Sequence, residues 1–322
     1  MSRAITIHGY GGPDVLTIED AVVAPPGPGQ VRIAQKAIGI NYIDIYQRTG
    51  LYKLPQLPAV LGLEGAGEII EVGGGVEDLR VGDRVAYAGC AGAYAGERVA
   101  PADRMVKLPQ NISYETGAAM MLQGMTVRYL LRQTYAVNSD TVMLFHAAAG
   151  GVGSIACQWA RALGATIIGT VSSDAKAELA RANGCTHVIN SKTEDFVARV
   201  AEITGGKGCD VVYDSIGKDT YQGSLQCLKP RGLWVSFGNA SGPVPAFDLT
   251  LLKGSLFATR PSLFAYTASR KDLLDNAEEL FGMVSSGQIS IAVNHRYALT
   301  EAAAAHRDLE ARKTTGSIVL VP

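Results

Sequence analysis

One stretch of the chain, Thr141 to Gly164, constrains the fold more than any other. It reads TVMLFHAAAGGVGSIACQWARALG, a short apolar run, a glycine turn, and then apolar residues at helical spacing. Strand, glycine turn and helix in this order are typical of a dinucleotide-binding motif, in which the helix start offers free N–H groups to a pyrophosphate. We expect Gly150 to allow the tight turn and Gly153 to let the helix approach the strand. Ala148 replaces the motif's first glycine, which leaves a plain strand-to-helix turn as the competing interpretation.

The composition indicates a globular chain of more than one domain. At 322 residues the chain exceeds the usual size of a single core, and 47% of its residues are hydrophobic. The net charge is −1 without a strongly basic tract, so nothing attracts nucleic acid or anionic membranes in general. The N-terminus lacks a signal-peptide core and no apolar run is long enough to span a bilayer, which predicts a cytoplasmic protein. The five cysteines are spread singly, so the sequence predicts neither a disulfide framework nor a cysteine-rich zinc site.

The two sides of the glycine turn have different patterns. Before it, short strands predominate, including residues 3–7, 15–20 and 31–40, and this spacing suggests a compact barrel-like β domain. A helix is expected from Ser113, whose hydroxyl and Thr116 would cap it, and a second helix around residues 127–131. After the turn, strand and helix alternate over about 120 residues, which predicts a doubly wound parallel (Rossmann) sheet in an α/β fold.

The last strand is expected to return to the first domain. The predicted domains are therefore residues 1–123 with 265–322, which would hold the substrate, and residues 124–264, which would bind the dinucleotide.

The residues after the second strand of the predicted sheet bear on the choice of cofactor. An NAD site usually places an acidic residue about twenty residues beyond the glycines. Here the chain reads Ser172-Ser173-Asp174-Ala175-Lys176, and two hydroxyls with a lysine suit the 2′-phosphate of NADPH better. Asp174 is either an N-cap of the next helix or an NAD-type acceptor. In the competing interpretation without a cofactor, the serines only cap the helix and Lys176 is a solvated surface charge.

Ligands of such sheets bind at the carboxyl ends of the strands. That rule nominates Ser215, Phe237, Gly238, Asn239 and residues 259–264. The histidines are scattered through the sequence, and we expect His146 to be a packed residue at the end of a strand.

The order of these segments resembles the medium-chain dehydrogenase/reductase superfamily. Its zinc alcohol dehydrogenases carry a cysteine after the strand that ends near Ile40 and a histidine in a G-H-E sequence some twenty residues later. This chain has Asn41-Tyr42-Ile43-Asp44 and Gly62-Leu63-Glu64 at those places, so we expect no catalytic zinc.

Six segments are similar to the zinc-free NADPH:quinone oxidoreductases, the zeta-crystallin-like branch of that superfamily. They are KAIGINYIDIYQRTGLY (36–52), FHAAAGGVG (145–153), VVYDSIG (211–217), VSFGNASG (235–242), TRPSL (259–263) and TTGSIVL (314–320). The resemblance implies a GroES-like first domain and a hydride passed from NADPH directly to a quinone held in the interdomain cleft.

The resemblance also implies roles for individual residues. Asn41, Asp44 and Tyr46 would line the nicotinamide and substrate region, and Tyr52 would border the quinone. The residues expected to hold the cofactor are Asn41, Tyr129, Gly150, Gly151, Val152, Ser172, Ser173, Lys176, Ser215, Phe237, Gly238, Phe264 and Arg312. Close relatives often have a tyrosine where this chain has Ser191, a departure that bears on the strength of NADPH selectivity.

Several alternatives stay open at the level of sequence. Asp44 is either a proton donor with a raised pKa or, as we favour, an orienting group bonded to the backbone, and Tyr46 and Tyr52 could simply be packed rings. The acceptor could instead be an enone or 2-alkenal, since the cofactor requirements are the same. A non-enzymatic role in binding single-stranded RNA, as associated with zeta-crystallin-like proteins, is disfavoured by the near-neutral charge. The resemblance further implies a homodimer joined along the edge strand at residues 256–259.

Overall fold

The computed structural model describes residues 2–322, which divide into two compact units. The first unit comprises residues up to 125 together with 267–286 and 291–322, and the second comprises residues 126–266 and 287–290. The functional domains given above, residues 1–123 with 265–322 and residues 124–264, stay a prediction.

The described chain contains both strands and helices. The strands are β1 (Ser2–Ile7), β2 (Thr17–Ala21), β3 (Gln30–Ile40), β4 (Ala59–Val60), β5 (Glu64–Val72), β6 (Arg84–Ala88), β7 (Glu97–Pro101), β8 (Val106–Lys107), β9 (Val142–Phe145), β10 (Thr166–Val171), β11 (His187–Asn190), β12 (Cys209–Asp214), β13 (Leu228–Ser236), β14 (Phe257–Thr259), β15 (Val293–Ala298) and β16 (Ser317–Val321). The helices are α1 (Tyr42–Thr49), α2 (Tyr114–Tyr129), α3 (Gly151–Ala162), α4 (Asp174–Ala182), α5 (Phe196–Ile203), α6 (Tyr221–Gln226), α7 (Leu263–Tyr266), α8 (Arg270–Ser285) and α9 (Ala302–Glu310).

The first unit is mostly β. Its larger sheet has the order β15-β16-β3-β5-β6-β8, with β7 also paired to β3, and its smaller sheet has the order β2-β1-β4. Strand β3 alternates buried and partly exposed residues at its start and becomes continuously buried from Ala37 to Ile40. Its pairing with β16 (Ile38 opposite Leu320) confirms that the last strand returns to this unit.

The second unit contains a parallel six-stranded sheet in the order β11-β10-β9-β12-β13-β14. This is the strand order of a dinucleotide-binding doubly wound sheet, and it confirms the predicted fold class. Because the strands are parallel and β9 and β12 are adjacent at the point where the order reverses, the segments after these strands emerge at one edge.

Three segments differ from the sequence-based expectation. The predicted pair of helices around residues 113 and 127 is a single helix, α2, followed by a π-helical turn at Leu130–Thr134. The cap was predicted correctly, since the Ser113 hydroxyl accepts a hydrogen bond from the Thr116 N–H at 3.0 Å. The segment after Ile40 forms α1, and β15 was not anticipated because its sequence VNHRYA is largely polar. No helix within residues 2–322 is both long and apolar enough to cross a membrane.

Candidate active site

The turn between β9 and α3 brings the helix unusually close to the strand. A Cβ atom at Gly153 would lie 2.3 Å from the Ala147 carbonyl oxygen, so the prediction that this glycine permits close approach is confirmed. Gly150 closes the turn by donating its N–H to the Ala147 carbonyl oxygen at 2.9 Å, and a Cβ atom at Gly150 would lie only 3.2 Å from that oxygen. Its backbone is extended (φ −77°, ψ 175°), and the left-handed residue of the turn is Ala147 (φ 56°). Ala148 lies outside that left-handed region, and its side chain occupies the space that the missing side chain of Gly169 leaves.

The start of α3 fits an anionic ligand. Among residues 2–322, no side chain caps this helix, whereas Ser173 caps α4 and Asp195 caps α5. Gly150, Gly151 and Val152 are partly exposed there, so the backbone can meet a ligand. An uncapped helix start with small residues offers N–H groups and a positive dipole end, which is what a pyrophosphate requires.

The residues expected to select NADPH lie together after β10. Ser173 is the N-cap of α4 and accepts the Lys176 N–H at 3.4 Å, while the side chains of Ser172 and Lys176 are half-buried. Capping uses the hydroxyl oxygen of Ser173 as acceptor, so its hydrogen is still able to donate to a phosphate. Asp174 is not the N-cap; it is the first residue of α4, and its carboxylate accepts a hydrogen bond from the Asn190 amide at 2.9 Å.

The segments after β12 and β13 also meet. A Cβ atom at Gly238 would lie 2.5 Å from the Ser215 carbonyl oxygen, so glycine is required for this approach. The buried Asp214 fixes the first of these loops, because its carboxylate accepts the N–H groups of Ile216 and Gly217 and the Thr220 hydroxyl. Ser215 and Phe237 are half-buried beside this contact.

The remaining residues predicted to hold the cofactor lie in different surroundings. Tyr129 is buried, with its ring stacked on that of Tyr266 at a centroid distance of 4.4 Å. Phe264 is 50% exposed on the short helix α7. Arg312 is exposed and belongs to the first unit, where it follows α9 with a left-handed backbone (φ 58°). His146 is a packed residue at the end of β9, as predicted, and its ring bonds Thr170 and Ser224 at 2.9 and 3.0 Å.

In the first unit, Asn41 lies where β3 gives way to α1. It is the N-cap of α1 in extended conformation, and the Asp44 carboxylate reaches back to accept its N–H at 2.8 Å. The helix ends at Gly50, whose left-handed backbone (φ 80°) turns the chain towards Tyr52. The rings of Tyr46 and Tyr52 then pack edge to face with centroids 5.2 Å apart. Tyr46 is nearly buried, whereas Tyr52 is half-buried and has surface to offer a ligand.

A chain of buried polar groups holds the Asn41 side chain. Its amide nitrogen donates to Glu64 Oε2 at 2.7 Å, and its amide oxygen accepts from Gln123 at 3.0 Å. Gln123 in turn accepts from the Ser317 hydroxyl at 2.9 Å, and Glu64 Oε1 accepts the Leu122 N–H at 2.7 Å. Burial raises the pKa of Glu64 to about 8, against the opposing effect of these hydrogen bonds.

A second buried chain ends on Asp44. Arg48 donates to His306 Nδ1 at 3.2 Å, His306 Nε2 and the Tyr94 hydroxyl are 2.9 Å apart, and that hydroxyl lies 3.1 Å from Asp44 Oδ2. Burial and the Arg48 charge lower the pKa of His306 to about 3, so its ring is neutral. Since a guanidinium only donates, Nδ1 is the acceptor, Nε2–H donates to Tyr94, and Tyr94 donates to Asp44.

This geometry supports an orienting role for Asp44. Its side chain has no exposed surface, and within residues 2–322 its Oδ1 has no hydrogen-bond partner. Burial raises the pKa of Asp44 to about 7, as a proton donor would need. However, a bound ligand has no access to this carboxyl group, and Oδ2 holds the Asn41 backbone instead.

Arg48, Tyr94, Gln123 and His306 were not nominated from the sequence. Their partners lie up to 262 residues away, so no local motif marks them. The sequence gives one signal for His306: it follows four alanines in a helical run, AAAAH, and a histidine that is buried there needs hydrogen-bond partners. The structure also brings together two buried thiols that the sequence separates, with the Sγ atoms of Cys157 and Cys185 3.2 Å apart.

Two family profiles match the chain. The alcohol dehydrogenase GroES-like domain matches residues 27–110, and the zinc-binding dehydrogenase profile matches residues 151–279. Across residues 2–322, no three His, Cys, Asp or Glu side chains are grouped so that they could hold a metal ion. The two profiles, together with a mostly β unit and a unit built on a parallel six-stranded sheet, define a medium-chain dehydrogenase/reductase.

Individual relatives narrow this class. The chain is 54% identical to a quinone oxidoreductase of Pseudomonas aeruginosa and 47% identical to a 2-haloacrylate reductase of a Burkholderia species, in each case over at least 99% of both chains. The structure of Escherichia coli quinone oxidoreductase complexed with NADPH matches with a TM-score of 0.98 at 50% identity, over 100% of both chains. The chain belongs to the quinone oxidoreductase family.

We predict that the stability of the protein falls as pH rises from about 4 to about 7, and that Asp44→Asn weakens this dependence. The folded chain retains the Asp44 proton up to a pKa of about 7, whereas a carboxyl group in the unfolded chain loses it near pH 4, so unfolding releases a proton in this window. The slope from one such group is on the order of 1 kcal/mol per pH unit. Urea unfolding at several pH values measures it.

The substituted amide at position 44 retains an oxygen to accept the Asn41 and Tyr94 hydrogen bonds, so the chain of contacts survives. The exposed Asp20→Asn is the matched control and should keep the wild-type slope. An unchanged slope in Asp44→Asn would contradict the prediction.

Proposed function

We propose that the protein reduces quinones with NADPH by direct hydride transfer, without a metal. The observation that carries this proposal is the turn after β9, where Gly153 brings the uncapped start of α3 against Ala147. The full-length identity to quinone oxidoreductases supports the acceptor class, a small molecule, and the E. coli structure complexed with NADPH supports the cofactor.

The residues present fit NADPH. When bound, NADPH supplies a hydride to the acceptor. The proposed roles are binding of the pyrophosphate at Gly150, Gly151 and Val152, and binding of the 2′-phosphate by Ser172, Ser173 and Lys176. Contacts to the rest of the cofactor are proposed for Asn41, Tyr129, Ser215, Phe237, Gly238, Phe264 and Arg312.

The proposed catalytic region is the α1 segment, with Asn41, Asp44, Tyr46 and Tyr52. Tyr52, and to a lesser extent Tyr46, offers aromatic surface on which a planar acceptor can pack and which excludes water. Asp44 fixes the backbone of Asn41 and thereby the place from which its side chain projects. Because Asp44 has no exposed surface, the proton that completes quinone reduction comes from water rather than from this carboxyl group.

We expect Lys176→Ala to weaken NADPH binding roughly tenfold or more and to leave NADH binding unchanged. The ammonium group is proposed to contact only the 2′-phosphate, and loss of a charge-assisted hydrogen bond costs about this much. Fluorescence titration of both cofactors measures the effect.

Lys207→Ala is the control, because Lys207 precedes β12 at the amino ends of the strands. Equal binding of both cofactors by the wild type would refute the NADPH assignment, and binding of neither would refute the oxidoreductase proposal.

A second acceptor class is favoured by the 47% identity to the 2-haloacrylate reductase. An activated carbon–carbon double bond, like a quinone, accepts a hydride from NADPH. We expect kcat/KM to be higher for quinones than for 2-alkenals or 2-haloacrylates in a steady-state panel at fixed NADPH. The reverse order would reassign the enzyme to activated double bonds.

We further propose a homodimer joined along β14. Among the strands of residues 2–322, β14 pairs with β13 alone, and it exposes 61% of Phe257, so its outer edge is an apolar pairing surface. Phe257→Lys should shift the protein towards monomer in analytical ultracentrifugation, whereas Leu179→Lys, at an exposed position of α4, should not. A wild-type monomer, or a dimer that persists in Phe257→Lys, would refute this interface.

The location we propose is the cytoplasm. All five cysteines are buried free thiols, and such thiols persist in a reducing compartment.

A further inference from the structure

The Asn41 side chain belongs to a buried row of hydrogen-bonded side chains, and one member of this row can change its charge. The series runs from Glu64 through Asn41 and Gln123 to Ser317, with spacings of 2.7, 3.0 and 2.9 Å. All four residues are at most 7% exposed, so water does not exchange freely with any of them. Buried polar groups of this kind must satisfy one another.

With Glu64 ionised, each donor in the series has an acceptor. The Asn41 amide nitrogen donates to Glu64, Gln123 donates to the Asn41 oxygen, and Ser317 donates to the Gln123 oxygen. In this state each carboxylate oxygen has a donor, since the Leu122 N–H reaches Oε1 and the Asn41 amide reaches Oε2.

Protonation of Glu64 makes this arrangement impossible. Glu64 Oε1 still accepts the Leu122 N–H, so the new proton sits on Oε2 and faces the Asn41 amide nitrogen, which is itself a donor. A buried donor facing a donor costs the full penalty of an unsatisfied group. Glu64 has no exposed surface, so solvent cannot accept this proton instead.

A second arrangement restores every hydrogen bond. If the Asn41 amide turns by half a revolution, its oxygen accepts from Glu64 and its nitrogen donates to Gln123. Gln123 then turns as well and donates to the Ser317 hydroxyl. That hydroxyl has a ready acceptor in the Ala119 carbonyl oxygen, 3.3 Å away.

We propose that Glu64 is a positioning residue for the reaction: its protonation turns the Asn41 amide, with Gln123 turning in step. The two orientations present different hydrogen-bonding atoms of Asn41 to a nicotinamide or acceptor bound beside it. The proton stays on Glu64, and no proton passes to substrate. The functional consequence rests on the proposed quinone reduction, whereas the turning of the amides does not.

Two buried carboxyl groups near Asn41 change charge around ordinary assay pH, Asp44 with a pKa of about 7 and Glu64 with a pKa of about 8. Of the two, Glu64 accepts from the Asn41 side chain, whereas Asp44 accepts from its backbone N–H. The other charged groups close to Glu64 and to its neighbour Tyr94 are Asp44 and Arg48. The direct hydrogen-bond partners of Glu64 are Asn41 and the N–H groups of Leu122 and Met121. Burial raises the pKa of Glu64 to about 8, so both protonation states are populated at ordinary assay pH.

The test is a pH titration of side-chain amide resonances in ¹⁵N-labelled protein without cofactor. We expect the Asn41 and Gln123 NH₂ signals, identified by their loss in Asn41→Asp and Gln123→Glu, to move together between pH 6 and 9. Glu64→Gln should abolish both movements, because an amide at this position donates permanently, as the protonated acid does. Glu68→Gln, the same change on the same strand, should leave them as in the wild type.

Any of three results would overturn the proposal. The two signals of the wild type could stay fixed over this range, they could move with different midpoints, or their movement could persist in Glu64→Gln. The first two results come from titrating the wild type, so they can overturn the proposal even if Glu64→Gln fails to fold.

The activity arm compares pH profiles of kcat and KM with NADPH and a quinone. An inflection near pH 8 is expected in the wild type and in Glu68→Gln and should be lost in Glu64→Gln. If the two amides titrate together but the activity profile has no inflection, Glu64 has no role in the reaction. If the wild type is inactive, the proposed function is refuted, and the amide titration still tests whether Glu64 turns the amides.

Discussion

Burial of the Glu64 and Asp44 carboxyl groups around Asn41 is the constraint on which the first unit depends. Neither group has exposed surface, so every donor that reaches them must come from the protein. This requirement joins the end of β3, the start of β5 and the middle of α2 at Gly39, where a side chain has no space. The same requirement recruits Tyr94 and His306 to Asp44. The placement of Asn41 is therefore a consequence of two buried carboxyl groups, one at its backbone and one at its side chain.

The second unit solves a different problem, the close approach of backbone to ligand. Its means are small residues in contact: Gly153 against Ala147, Gly169 against Ala148, and Gly238 against Ser215. Each contact brings two segments at the carboxyl edge of the sheet nearer than side chains would allow. The unit thus shapes a surface of backbone groups, whereas the first unit shapes a set of hydrogen-bonded side chains.

Much of the second unit could be predicted from the sequence, because its information is local. Apolar period and glycine spacing predicted the strand, turn and helix at β9 and α3, and the alternation of strand and helix after them predicted the parallel sheet. The departures have physical reasons. The left-handed residue of the turn after β9 is Ala147, although alanine has no preference for that backbone conformation. Helix α2 runs without a break where two groups of apolar residues suggested two helices. The polar chains around Asn41 depend on residues such as His306, whose partners are set only by tertiary structure.

The pairing of distant segments has a consequence for how the protein is made. Arg48 and His306 are 258 residues apart, and Ile38 pairs with Leu320. While the ribosome is still translating the second unit, the carboxyl groups near Asn41 have no His306–Tyr94 donor chain, and β3 lacks β16 along one edge. In the nascent chain, the carboxyl groups near Asn41 and the open edge of β3 must therefore stay hydrated, or be covered by another protein, until the final segment emerges. The second unit is nearly continuous in sequence, so it is free to fold in the interval.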